Sequence, residues 1–217
     1  MNTYVKYICV ADTETGGLPN KSKKAFYDVA LCEVAIVVID CIELKIVDEY
    51  SAIIKPYSDA CEYSEQAAAV NGLSKEHLEQ NGLPVKQVYS EVKALLKKYT
   101  NSRVGAVLCG HNFQLFDVPF FEGLFAYHND NLWDYVKFVE DTMKLAYYRH
   151  TTQENYKLGT CCKAEGVELV DAHRALADTK ANALLMVQYL KSLRGTGEAV
   201  TAKAFKKSRF RESFSLV

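Results

Sequence analysis

Apolar and polar positions change their period several times along the chain, and the changes mark elements. Tyr7 to Glu14 places Ile8 and Val10 two apart and then runs into acids, which reads as a strand. The glycines and proline of Thr15-Gly-Gly-Leu-Pro19 end it in a turn. Cys32 to Asp40 is nearly all apolar and β-branched, the pattern of a strand covered on both faces. Ile46 to Pro56 alternates, and its short connection to the preceding run predicts antiparallel pairing.

From Ser64 the period becomes helical. Glu65 to Val70, Ser74 to Gln80 and Pro84 to Tyr99 are three expected helices, with Gly72 and Gly82 as breaks. Pro84 suits a first helical turn, and Val88, Val92, Leu95 and Leu96 form one apolar stripe. Strands at Val104 to Gly110 and Val136 to Asp141 then alternate with helices at Val118 to Tyr127, Met143 to Tyr148, Leu158 to Glu165 and Arg174 to Leu193. In the last helix Ala177, Ala181, Leu184 and Val187 are the expected inward face. The order predicts an α/β fold, a mixed sheet of about five strands flanked by helices. Periodicity stops after Gly195, so the expected organisation is a domain over 1–194 and a mobile basic tail over 195–217.

Composition agrees with a globular chain: 217 residues, 49% hydrophobic and 24% charged. A net charge of −1 argues against a protein that coats nucleic acid by bulk charge. The longest strongly apolar run, Val34 to Ile39, is far too short for a membrane span, and no signal-type segment is visible near Met1. Cysteines stand at 9, 32, 41, 61, 109, 161 and 162, with no Cys-x-x-Cys pair and no zinc-type spacing. They read as buried free thiols of a cytoplasmic protein, with Cys161 and Cys162 as helix filler.

The candidate chemistry is acidic. Asp12 and Glu14 are two apart on a strand, so both carboxylates leave it on the same face. Like charges that close repel, and a hard divalent cation such as Mg²⁺ relieves them. Asp117 follows the strand that ends at Gly110, where an Asp is also common as a helix cap. His173 and Asp178 are five apart, about 140° around a helix, so they face one target only if His173 lies in the entry loop. Asp178, among Leu176, Ala177 and Ala181, is an odd residue unless a positive charge holds it.

Taken in order, Asp-x-Glu, Asp and His-x(4)-Asp resemble the DEDDh exonucleases, the DnaQ-like branch of the ribonuclease H-like superfamily. The resemblance runs from Tyr7 to Leu190 and includes Val10-Ala-Asp-Thr-Glu-Thr-Gly-Gly-Leu-Pro19, His111-Asn112 with Phe116-Asp117, Glu140-Asp-Thr-Met-Lys144 and Tyr156-Lys-Leu-Gly159. The five-residue step from Asn112 to Asp117, Pro119 and Val70-Asn-Gly-Leu-Ser74 are most similar to TREX-type enzymes. A proline-rich loop of the animal enzymes is not visible, and a bacterial or phage relative fits equally.

The resemblance implies a mixed five-stranded sheet with one antiparallel strand, and hydrolysis from a 3′ end with two Mg²⁺ or Mn²⁺ ions. It implies that Asp12, Glu14, Asp117 and Asp178 hold the metals and that His173 is the general base. By the same resemblance Thr13, Thr15, Gly16 and Gly17 receive the terminal sugar, Leu18 and Val70 wedge the terminal base, and Asn112 orients the next backbone unit. Tyr147, Tyr148 and Arg149 are a possible stacking platform. The substrate reading is the 3′ end of single-stranded or frayed DNA, with RNA trimming as one alternative. A proofreading module that docks on a polymerase or repair partner through the tail is another.

Overall fold

The computed structural model describes residues 5–20, 22–169 and 174–195. Five strands form one sheet in the order β3-β2-β1-β4-β5. They are β1 (Tyr7–Thr15), β2 (Leu31–Asp40), β3 (Lys45–Ile53), β4 (Ala106–Gly110) and β5 (Val136–Asp141). β2 runs antiparallel to both neighbours, while β1, β4 and β5 are mutually parallel. This is the mixed sheet with one reversed strand that the motif order implied.

The helices are α1 (Glu65–Asn71), α2 (Lys75–Asn81), α3 (Val85–Lys98), α4 (Phe113–Phe116), α5 (Val118–Tyr127), α6 (Thr142–Arg149), α7 (Leu158–Ala164) and α8 (Ala175–Leu193). All ten positions of β2 are buried, which explains its unbroken apolar run. One sheet face, with Cys9, Ala11, Ile36 and Leu108, packs against α3 and α5 through Val88, Val92, Leu96, Phe121 and Leu124. The opposite face, with Ile8, Val10, Val37 and Cys109, packs against Ala183, Met186 and Val187 of α8. All seven cysteines are free and buried, and burial pushes the Cys9 and Cys32 thiols up to about 12.

The inward face of α8 differs from the expected one. Leu184 is exposed and Ala177 is half-buried, while Asn182, Leu185 and Tyr189 are inside. The reason is that α8 is covered twice, by the sheet and by α6 and α7, so its buried arc is wider than one stripe. Asn182 is accommodated because Thr142 donates a 2.6 Å hydrogen bond to its Oδ1.

The link from β1 to β2 is anchored by Phe26. This residue is fully buried at φ 71°, a backbone conformation a bulky side chain seldom adopts. Its ring stacks on Tyr57 with centroids 4.6 Å apart, and its carbonyl accepts the Tyr57 hydroxyl at 2.9 Å. A Cβ on Gly123 of α5 would stand 2.3 Å from Phe26 Cβ, so only glycine lets the ring in.

Candidate active site

The site lies at the C-terminal end of β1, where the central strand runs out beneath the start of α8. Asp12 and Glu14 leave β1 on the same face as Ile8 and Val10, the face that α8 covers. Asp178 is in the first turn of α8. Oxygens of Asp12, Glu14 and Asp178 all lie within 4.8 Å of one another, and each side chain is half-buried. Asp178 thus faces other acids, although it stands in a helix of mostly apolar residues.

Burial, and then the charges of Asp117, Glu14, Asp178 and Glu33, hold the Asp12 carboxyl well above the usual carboxylate range. Burial likewise pushes Glu14 up to about 7, partly opposed by a hydrogen bond from Asn71. Several acids are thus held together at the cost of their own ionisation. Divalent cations remove that cost, and an all-oxygen donor set suits Mg²⁺ or Mn²⁺. The residues present fit such ions.

Asp117 stands at the junction of α4 and α5, almost fully buried. It does not cap α5 with its side chain. Instead Thr13 donates to its Oδ1 twice, from the backbone N–H at 3.0 Å and from Oγ1 at 2.6 Å. Burial raises its pKa to about 7, and the two Thr13 bonds pull it back part of the way. The Asp117 charge also raises the Asp12 and Glu14 carboxyls, so the fourth acid lies near those two. His173 lies outside the described residues.

A cavity of about 440 Å³ opens beside the acids, lined by Glu14, Thr15, Gly17, Leu18, Val70 and Asn71 among others. Leu18 is 73% exposed and Val70 62% exposed, which rules out core packing for both. The Thr15 hydroxyl donates to Gly17 O at 2.7 Å and so shapes the turn. Gly16 is required by contact: a Cβ there would stand 2.2 Å from the Glu62 carbonyl oxygen. Thr13 also lines the cavity, although its hydroxyl is committed to Asp117.

Asn112 is placed elsewhere. It has φ 58°, its N–H donates to Asp141 Oδ1 at 3.0 Å, and it lines a separate cavity with His111, Tyr147 and Tyr156. His111 is held at both nitrogens, by Thr142 Oγ1 at 3.0 Å and the Tyr156 carbonyl at 2.7 Å. A carbonyl only accepts, so Nε2 carries a proton, and burial lowers the ring's pKa. Tyr147 belongs to this second cavity, whereas Tyr148 and Arg149 line a third one against Tyr189 and Leu193. The three do not form one platform.

Two residues to which the sequence assigned no role border the site. Asn71 Nδ2 donates to Thr15 O at 3.2 Å and its side chain helps to lower the Glu14 pKa, so it ties α1 to β1. Its neighbour Val70 was expected as a wedge against the terminal base, and both stand in the Val70–Ser74 motif. Glu33 lies opposite Glu14 in the β1–β2 register. A charge inside the run Leu31–Asp40 was its visible signal.

Residues 9–186 match the family model of the RNase_T exonucleases. Among curated proteins the chain is 29% identical over 197 residues to the PolC-type DNA polymerase III of Bacillus cereus, covering 88% of this chain and 12% of that protein. It is 27% identical to the Caldanaerobacter subterraneus counterpart, covering 87% of this chain and again 12% of the relative. The chain therefore spans about an eighth of the length of these relatives. Similar solved structures include the E. coli ExoI–ssDNA complex, with TM-score 0.70, 17% identity, and coverage of 88% of this chain and 41% of that one. The nuclease domain of 3′hExo, a DEDDh family member bound to rAMP, gives TM-score 0.69 at 17% identity, covering 88% and 95%. These likenesses share the fold described above.

Proposed function

This chain belongs to the RNase_T exonuclease family, and from that premise we propose that it removes nucleotides one at a time from the 3′ end of single-stranded or frayed DNA. The observation that carries the reading is the convergence of Asp12, Glu14 and Asp178 within 4.8 Å beside an open, apolar-rimmed cavity. Asp12, Glu14 and Asp178, bordered by Asp117, are the residues that would hold two Mg²⁺ or Mn²⁺ ions. Bound there, such ions lower the pKa of the attacking water and stabilise charge on the departing 3′-oxygen.

The protein's own groups do the rest. The raised pKa values of Asp12 and Glu14 mean that the acids ionise as cations enter. His173 takes the proton from water, as a neutral imidazole does near pH 7. Leu18 and Val70, exposed on the cavity rim, grip the terminal base, and the Thr15–Gly17 turn receives its sugar. The product is a nucleoside 5′-monophosphate. Asn112, at its separate cavity, meets the strand further from the end.

A second reading is favoured by the relatives, which are polymerases in which a segment of this size is a small part. In it the chain proofreads beside a polymerase, with residues 195–217 as the docking segment of a domain spanning 1–194. That tail carries five basic and two acidic side chains and, beyond Gly195, lies outside the described residues. Among the described residues no helix is long and apolar enough to cross a membrane.

The test is a release assay with Mg²⁺ and labelled DNA and RNA strands of equal sequence. Mononucleotide release from DNA, abolished by chelator and by Asp12→Ala, is the expected result. Faster release from RNA selects an exoribonuclease. No release from either strand by folded protein sinks the proposal.

A further inference from the structure

Glu33 is a fifth acid on the face that carries the site. Its partner in the strand register is Glu14, so the two side chains leave the sheet on the same side. Its side chain is 3% exposed. Ser51 donates to Oε1 at 3.1 Å, but among the described residues Oε2 accepts no hydrogen bond. The Nε of Arg174 stands 3.9 Å from that oxygen. A buried carboxylate with one oxygen unsatisfied is costly, and the apolar packing of β2 does not ask for it.

The other acid of β2, Asp40, has a local explanation: its Oδ1 accepts the N–H groups of Ile42 at 2.8 Å and Glu43 at 3.0 Å in the turn to β3. Glu33 is mid-sheet and serves no turn. What it meets is the beginning of α8. Arg174 is the residue at which that helix starts, and its carbonyl accepts the N–H of Asp178 at 3.0 Å. One helical turn therefore joins Arg174 rigidly to Asp178. Further along, α8 is held by its apolar packing, by the Lys180–Glu49 pair at 2.8 Å, and by a hydrogen bond from Arg194 to the Cys41 carbonyl. Arg174, the residue that precedes its first turn, has an exposed side chain and the Glu33 contact.

We propose that Glu33 is a positioning residue: through Arg174 its carboxylate fixes the first turn of α8 and so keeps Asp178 over Asp12 and Glu14. The proposal rests on the reading of that trio as a metal site. It accounts for a buried acid near the start of a strand whose only other acid, Asp40, serves a turn. It also separates two kinds of acid on one surface, those that meet cations and one that holds an arginine. An outer anchor of this kind typically changes metal affinity by ten- to a hundredfold when removed.

The experiment uses the full chain and Mn²⁺ as the probe. Mn²⁺ binding is measured by calorimetry for wild type, Glu33→Gln, Arg174→Ala, Arg174→Lys and the Glu33→Gln/Arg174→Ala pair, beside the melting temperature of each metal-free protein. Glu33→Gln and Arg174→Ala are each expected to weaken Mn²⁺ binding about tenfold, the pair no more than either alone, and Arg174→Lys much less. The metal-free melting temperature of Glu33→Gln is expected to equal or exceed wild type, because a buried charge has been neutralised. Wild-type Mn²⁺ affinity in either single variant overturns the proposal while leaving the metal site intact. Additive losses in the pair, or a melting temperature that falls in step with binding, overturn it as well. If wild type binds no Mn²⁺, the metal reading itself falls and the proposal with it.

Discussion

Thr13 and Asp117, 104 positions apart in sequence, are joined by two hydrogen bonds to a single carboxylate oxygen, at 2.6 and 3.0 Å. The strand that carries Asp12 and Glu14 is thereby fastened to the helix junction that carries the fourth acid. Thr13→Val removes only the hydroxyl bond from a buried carboxylate. The expected cost is about 1–3 kcal/mol in unfolding free energy, read by urea denaturation, together with a loss of kcat larger than any change in KM. Unaltered kcat would show that Asp117 needs no such fastening.

The raised acids set a pH dependence with a definite sign. Glu14 and Asp117 have ordinary values near 4 and are both held at about 7 in the fold. The folded state therefore binds more protons than the unfolded one between those limits. Metal-free protein should lose stability as pH rises from about 4 to 7, and added Mg²⁺ should restore it most at the upper end. Thermal melts at pH 5 and pH 8, with and without Mg²⁺, test this. A metal-free melting temperature that climbs across the range would contradict it.

Gly16 and Gly17 should not respond alike to a methyl group. At Gly16 the new Cβ meets the Glu62 carbonyl oxygen at 2.2 Å, which is backbone, whereas at Gly17 the nearest atom is the Glu62 side-chain Oε2 at 3.2 Å. Gly16→Ala is expected to destabilise the protein by about 1–3 kcal/mol and Gly17→Ala by less. Equal shifts in denaturation midpoint would mean that the Glu62 segment yields easily.

Leu18 and Val70 are exposed, so truncating them should leave stability within about 0.5 kcal/mol of wild type. The cost should appear instead as a several-fold higher KM for single-stranded DNA. Steady-state kinetics on Leu18→Ala and Val70→Ala check this. A normal KM in both would remove them from the terminal-base grip.

Deleting residues 196–217 removes five cationic side chains and two anionic ones. If the tail touches phosphates, the slope of log KM against log salt should become shallower while kcat is unchanged. An identical slope in the truncated chain would assign the tail to something other than nucleic acid.

Much of this arrangement was legible in the sequence because the signals were long or chemically unusual. The helix over Val118–Tyr127 and the strand over Val136–Asp141 occur with the expected limits. Acids that interrupt apolar surroundings, Asp12, Glu14 and Asp178, do converge. What was hidden depended on tertiary neighbours. α4, only four residues long, is too short to show a period. Asn71 stands inside the Val70–Ser74 motif, but its hold on Thr15 appears only once α1 is folded against β1. In α8 the extra cover from α6 and α7 widens the buried arc, which no single-helix pattern records.

Phe26, held at φ 71° beneath Gly123 and against Tyr57, has a consequence for where this chain can vary in length. The segment from Leu18 to Lys24 is bounded on one side by the site turn and on the other by an aromatic plug seated in the core. Insertions between Asn20 and Lys24 would lengthen a surface arm without disturbing either boundary. One residue added between Ala25 and Ala30 would pull the plug out of register and carry the strand holding Glu33 with it. The rim of the site can thus be remodelled by natural drift or by design, while its floor keeps a fixed spacing.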